Sequence, residues 1–166
     1  RVERLGEEDD RISEAVTLLS LSDIGVVVLG LNETYEGEMH DDGNGGIAGD
    51  KESLSLPLSQ QKLLSVLSKV GKPLVLVLLS GGALNPDVEN KENVKAVLQG
   101  WYPGEYGGKA IAETIFGLNN PSAKLPVTFY KSVQDLPLFE DYSMKDRTYR
   151  YFEKEPLYYF GHGLSY

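Results

Sequence analysis

Glu36 and Tyr35 lie in a polar, glycine-rich segment that directly follows a short apolar run. The run is Val26–Leu29, four consecutive aliphatic residues, and it ends at Gly30. The segment that follows, residues 31–50, is rich in carboxylates. Carboxyl groups carry out proton transfer in sites that cleave sugars, and an aromatic side chain can contact a sugar ring. We therefore predict that Glu36 acts as a general acid/base.

The apolar run indicates what positions this segment. A short aliphatic run bounded by glycine is typical of a strand that is buried on both faces of a parallel sheet. Ligands of open α/β sheets bind at the carboxyl ends of such strands, and residues 31–50 begin at one. Taken alone, an acidic segment after a strand also fits a solvated connection between elements.

Helical and strand patterns alternate along the rest of the chain. The sequence predicts helices over Glu7–Asp23, Ser59–Val70 and Lys109–Phe116, and strands over Ile24–Leu29, Leu74–Leu79 and Val94–Leu98. A further strand is predicted over Lys124–Tyr130, at a sheet edge because Pro126 cannot donate a ladder hydrogen bond. This alternation is typical of an α/β fold with a mostly parallel sheet.

Composition limits the classes of function. The chain has 166 residues, 41% of them hydrophobic, which suffices for one domain with a real core. A formal net charge of −9 works against binding to nucleic acid or to an anionic membrane, and no apolar stretch approaches the roughly 20 residues that span a bilayer. Without cysteines, and with only His40 and His162, we predict no metal site and no cofactor.

The C-terminal residues concentrate tyrosine. Six tyrosines lie between residues 141 and 166, at positions 142, 149, 151, 158, 159 and 166. Because tyrosine can bury a large apolar ring and keep a polar tip, we predict an extended arm that lies over the domain or reaches toward a neighbour. The predicted organisation is therefore a domain over residues 1–140 and an arm over residues 141–166.

Several short motifs, in their order and spacing, resemble those of a known family. They are Val28-Leu29-Gly30 through Glu36-Gly37-Glu38, Gly49-Asp50 with Leu54-Ser55-Leu56-Pro57, Trp101-Tyr102-Pro103-Gly104-Glu105 with Gly107-Gly108, Phe116-Gly117, Asn120-Pro121, Lys124-Leu125-Pro126-Val127-Thr128-Phe129, and Phe160-Gly161-His162-Gly163-Leu164-Ser165-Tyr166. Over nearly its whole length the chain resembles the second domain of glycoside hydrolase family 3, the α/β sandwich that follows a TIM-like barrel.

The resemblance implies a divided active site. The barrel would supply an aspartate nucleophile, which is absent from this chain, and this domain would lend a glutamate acid/base. The family pattern falls on Glu36, with Glu38 as the alternative if the alignment slips by two residues. Tyr35, Met39 and Trp101 are the predicted substrate-binding residues, although Trp101 also fits packing in the core or at a domain interface.

The resemblance also implies the surroundings of the domain. We expect a three-layer α/β/α sandwich that lacks its first strand or strands, with the arm leading toward a further domain. The expected partners are an oligosaccharide and the N-terminal TIM-like barrel, in a secreted or periplasmic enzyme that could form oligomers. The sequence departs from the family pattern in two features. Lys51, directly after the segment, stands where relatives usually carry arginine, and residues 41–46 lengthen the segment.

Two classes of function stay open from the sequence. The first is half of the active site of a retaining β-glycosidase, most like β-xylosidases that release terminal β-D-xylose from xylo-oligosaccharides, with β-glucosidases close behind. The second is a non-catalytic, flavodoxin-like carbohydrate-binding or interaction domain. In the first case the 166-residue chain alone is expected to be inactive.

Overall fold

A parallel sheet forms the centre of the fold. The structure, a computed structural model, describes residues 11–33, 35–36 and 51–166. Within these residues the strands are β1 (Gly25–Gly30), β2 (Leu74–Leu79) and β3 (Val94–Gln99), in the order β1-β2-β3 and all parallel. The predicted α/β fold with a parallel sheet is confirmed.

The central strand, β2, is buried because every residue in it is apolar. Leu74, Leu76 and Val77 are fully buried, and Leu78 is almost so. In β1 only Val27 and Leu29 are buried. Neighbouring helices contribute Leu19, Leu64 and Leu67 to the same set of buried side chains.

The prediction that Val26–Leu29 is buried on both faces is wrong. Val26 is 48% exposed and Val28 is 53% exposed, because among the described residues β1 lies at an edge of the sheet with one face covered. Successive side chains of a strand point to opposite faces, so burial alternates along β1.

Helices occupy most of the predicted positions. They are α1 (Ile12–Ser20), α2 (Leu58–Leu67), α3 (Gly107–Ile115) and α4 (Thr148–Tyr151), with a 3₁₀ turn at Val133–Asp135. Helix α1 contacts α2. Helix α2 ends before Val70 because the amides of Lys69 and Val70 bond to carbonyls three residues back, which tightens the final turn. None of the helices in the described ranges is long and apolar enough to cross a membrane.

The described residues form two compact units. The sheet unit contains the described residues up to Glu36, together with Ser55–Gly82 and Pro86–Trp101. The C-terminal unit contains Lys51–Leu54, Ala83–Asn85 and Tyr102–Tyr166. The predicted boundary between residues 140 and 141 stays a prediction.

The C-terminal unit includes the residues predicted as an edge strand. Instead of a strand over Lys124–Tyr130, the structure has a single antiparallel bridge between Phe129 and Tyr158. The amide of Leu125 also bonds to the carbonyl of His162 at 2.8 Å. The strand prediction is wrong because this segment pairs with the tail of the chain, which local propensity cannot reveal.

Aromatic contacts organise the predicted arm. The rings of Tyr149 and Phe160 stack at 4.5 Å, and those of Tyr158 and His162 stack at 4.9 Å. The hydroxyl of Tyr166 donates to the carbonyl of Thr114, at the end of α3, at 2.8 Å. The end of the chain is therefore fixed to its own unit by side-chain contacts.

Candidate active site

The segment that carries Glu36 leaves the sheet at the carboxyl ends of β1 and β2. The amide of Leu31 donates to the carbonyl of Leu79 at 2.7 Å, so the segment starts in register with β2. A turn follows, because the amides of Tyr35 and Glu36 both donate to the carbonyl of Asn32 at 3.0 Å. The predicted location at this edge of the sheet is confirmed for Tyr35 and Glu36.

The start of the segment is held by a side chain from α2. The amide group of Gln60 accepts a hydrogen bond from the backbone N–H of Gly30 at 2.9 Å and donates to the carbonyl of Gly30 at 2.7 Å. Gln60 is only 7% exposed, so both bonds are shielded from water. This side chain fixes the point at which the candidate site begins.

The carboxylate of Glu36 binds the turn that follows β2. Its Oε2 accepts from the backbone N–H of Gly81 at 2.8 Å, and its Oε1 accepts from that of Gly82 at 3.1 Å. Successive backbone N–H groups form a concave site for anions. Two backbone N–H groups thus occupy both oxygens of the Glu36 carboxylate.

A third strand supports the same turn. Ser80, which is fully buried, donates its hydroxyl hydrogen to the carbonyl of Gly82 at 2.7 Å. The side-chain amide of Gln99, the last residue of β3, donates to Ser80 Oγ at 3.1 Å. Gln99 Oε1 is buried and has no hydrogen-bond partner among the residues that the structure describes. Hydrogen bonds thus connect the carboxyl ends of β2 and β3 to Glu36.

The predicted substrate-binding residues lie in different parts of the chain. Tyr35 is half-buried in the turn beside Glu36, and Trp101 follows β3 at the same edge of the sheet. The φ of Trp101 is 55°, in the left-handed region that bulky side chains rarely adopt. Glu38 and Met39 lie outside the described residues.

The residues that hold Glu36 and Gly30 have no predicted role in the sequence. Gln60 lies within a predicted helix, and Ser80-Gly81-Gly82 directly follow the predicted strand Leu74–Leu79. A buried glutamine on a helix that follows the segment is a weak signal, but two successive glycines at a strand's carboxyl end could have indicated N–H groups open to an acceptor.

Two surface depressions lie away from Glu36. They have volumes of about 380 and 360 Å³ and are lined by α2 and by residues between positions 86 and 93. The first includes Asn93 and Lys69, which precede β3 and β2, so it lies at the amino edge of the sheet. In the described part of the chain, no three His, Cys, Asp or Glu side chains group as metal ligands would.

Comparison with known proteins decides the family. Residues 2–166 match the glycosyl hydrolase family 3 C-terminal domain. The chain belongs to this family. It is 45% identical over 153 residues to the xylan 1,4-beta-xylosidase of Xylanibacter ruminicola, an alignment covering 90% of this chain and 18% of that protein. It is 37% identical over 167 residues to the periplasmic beta-glucosidase of Salmonella typhimurium, covering 93% and 20%.

Solved structures of family 3 enzymes share the fold. A GH3 exo-beta-xylosidase, solved with a xylobiose aziridine activity-based probe, is similar with a TM-score of 0.80 and 32% identity, covering 93% of this chain and 20% of that one. The resemblance stated from the motifs is therefore confirmed. This chain spans about a fifth of the length of these relatives.

Proposed function

We propose that this domain belongs to a retaining β-glycosidase and that the segment after β1 supplies its general acid/base. The observation that carries the proposal is the 45% identity, over 90% of this chain, to a protein named xylan 1,4-beta-xylosidase. The location of Tyr35 and Glu36 supports it, because the carboxyl edge of a parallel sheet is where α/β domains bind ligands.

The proposed reaction needs two carboxyl groups about 5–5.5 Å apart. One, from an N-terminal TIM-like barrel, attacks the anomeric carbon and displaces the leaving oxygen. The other, from this chain, gives that oxygen its proton and then takes a proton from the water that hydrolyses the glycosyl-enzyme. The 166-residue chain alone would therefore be inactive.

Two glutamates of the segment are candidates for the acid/base. The sequence ranks Glu36 first and Glu38 second. A general acid must reach the leaving oxygen to deliver its proton, whereas the N–H groups of Gly81 and Gly82 occupy both carboxylate oxygens of Glu36. The hydrogen bonds of Glu36 therefore favour Glu38 as the acid/base.

The test compares Glu36→Gln with Glu38→Gln in the full-length protein that carries this chain. Loss of the acid slows substrates with poor leaving groups, such as xylobiose, far more than aryl glycosides whose leaving groups need no proton. We expect this selective loss from one of the two variants. If neither shows it, the acid/base does not come from this segment.

The proposed substrate is a xylo-oligosaccharide that loses its terminal β-D-xylose. A second candidate is β-glucoside hydrolysis, which is favoured by the 37% identity to a periplasmic beta-glucosidase. Xylose lacks the hydroxymethyl group of glucose, and a hydrophobic pocket discriminates one such group by about 1–3 kcal/mol. A kcat/KM ratio that favours aryl β-glucoside over aryl β-xyloside by more than about tenfold, or ~1.4 kcal/mol, would select the second candidate.

A further inference from the structure

The contacts of Glu36 suit a different task from proton transfer. Both of its carboxylate oxygens accept a backbone N–H, one from Gly81 at 2.8 Å and one from Gly82 at 3.1 Å. The partners lie 45 and 46 residues away in sequence, so the two bonds connect the segment after β1 to the end of a neighbouring strand. We infer that Glu36 is a positioning residue that anchors this segment to the Ser80–Gly82 turn.

The turn is built to hold such a group. Ser80 is fully buried, and its hydroxyl bonds to the carbonyl of Gly82 while accepting from Gln99. These bonds hold the backbone of the Ser80–Gly82 turn, in which the N–H groups of Gly81 and Gly82 face Glu36. A pre-arranged pair of donors lowers the entropy lost when the segment docks, and the charge of the carboxylate strengthens each bond.

The segment is attached on both sides of its first turn. Gln60 fixes Gly30 at the start, and Glu36 fixes the chain six positions later. The second attachment holds the backbone at Tyr35 and Glu36 against the end of β2. Displacing an active-site group by about 1 Å can slow the reaction on the order of 100-fold. An anchor of this kind therefore affects turnover without contacting the substrate.

The inference rests on the proposed function, and the test separates the two. In the full-length protein, Glu36→Gln replaces one acceptor oxygen by an NH₂ group, which cannot accept a backbone N–H. We expect kcat for aryl β-xyloside to fall by roughly 10- to 100-fold with KM changed less than about threefold. The alkaline limb of the kcat/KM profile should persist, because the ionising acid is still present.

A second readout does not depend on activity. Amide hydrogen exchange within residues 80–82 should accelerate in Glu36→Gln, because one of the two N–H groups of Gly81 and Gly82 loses its acceptor oxygen, while β2 keeps its protection. Glu36→Asp keeps the charge and both acceptor oxygens but is shorter by one methylene, so its kcat should lie between wild type and Gln. Glu33→Gln, an exposed glutamate of the same segment, is the matched control and should change neither readout.

The outcomes that overturn the inference are distinct. If Glu36→Gln abolishes the alkaline limb while Glu38→Gln keeps it, Glu36 is the acid/base itself. If Glu36→Gln leaves kcat and the exchange at 80–82 unchanged, the anchor does not exist. If the wild-type full-length protein hydrolyses neither aryl β-xyloside nor aryl β-glucoside, the proposed function fails, whereas faster exchange at residues 80–82 in Glu36→Gln would still show that Glu36 anchors the turn.

Discussion

The side-chain amide of Gln60 pairs with both backbone polar groups of Gly30. With distances of 2.9 and 2.7 Å, it offers the donor and acceptor that a residue of a neighbouring strand would offer. Gly30 is the last residue of β1, an edge strand among the described residues. A helix side chain thus continues the hydrogen bonding of the sheet where the candidate site begins.

Removing this pairing should loosen the start of the segment. Gln60→Ala leaves the N–H and carbonyl of Gly30 without their partner in a partly buried position, which costs up to about 1–3 kcal/mol per unsatisfied group. We expect faster amide hydrogen exchange at Gly30 and Leu31 in the full-length protein. The control is Gln61→Ala, which removes the hydrogen bond that the exposed side chain of Gln61 donates to the carbonyl of Leu56. This variant should leave amide exchange at Gly30 and Leu31 unchanged. Equal effects from the two variants would contradict the role assigned to Gln60.

Gly30 itself should tolerate no side chain. A Cβ at this position would lie 1.8 Å from the carbonyl oxygen of Leu79, which is backbone of the central strand and cannot move aside. We therefore expect Gly30→Ala to abolish soluble expression or to lower the thermal midpoint sharply. The control is Gly71→Ala: Gly71 has a φ of 84° and open space around it, so only the left-handed backbone is penalised, by about 1–2 kcal/mol. A milder effect at Gly30 than at Gly71 would show that the steric argument is wrong.

Ser80 and Gln99 should be coupled. Ser80→Ala removes the acceptor of the Gln99 amide and a donor to Gly82, which leaves buried polar groups without partners. Gln99→Met removes an amide whose oxygen has no partner within the described ranges, so we expect a smaller effect from this variant. In the double variant the Gln99 amide that Ser80→Ala would leave without an acceptor is also removed. The effect of the double variant on amide exchange at residues 80–82 should therefore be smaller than the sum of the two single effects. Simple additivity would mean that the two side chains act independently.

Local patterns were enough to predict most elements. Strand β2 was predicted at its observed bounds, because a wholly apolar run between Pro73 and Ser80 has few alternatives. Helix α3 begins at Gly107, two residues before the predicted Lys109, because the low helix propensity of glycine places the predicted start after Gly108. The strand predicted over Lys124–Tyr130 failed because its partner is the chain's own tail.

The site was predicted less completely, for a physical reason. The location of Glu36 followed from a rule about strand ends, but its donors at Gly81 and Gly82 depend on which strand lies beside β1. Gln60 reaches Gly30 across 30 positions of sequence. Such contacts are set by strand order and register, which a single sequence does not specify. The sequence therefore predicts Glu36 as the general acid/base, whereas in the structure the hydrogen bonds of its carboxylate are those of an anchor.

Trp101 provides a test of the predicted substrate contact. Its φ of 55° carries a conformational cost of about 1–3 kcal/mol, and such strain is often found at functional sites. Trp101→Ala removes the ring and keeps the strained backbone, whereas Trp101→Gly removes both. If the ring contacts substrate, both variants in the full-length protein should raise KM for xylobiose by at least about fivefold, or ~1 kcal/mol. The Gly variant should then be the more stable of the two, because glycine adopts this φ without strain. Unchanged KM together with a lowered thermal midpoint in both variants would assign Trp101 to packing alone.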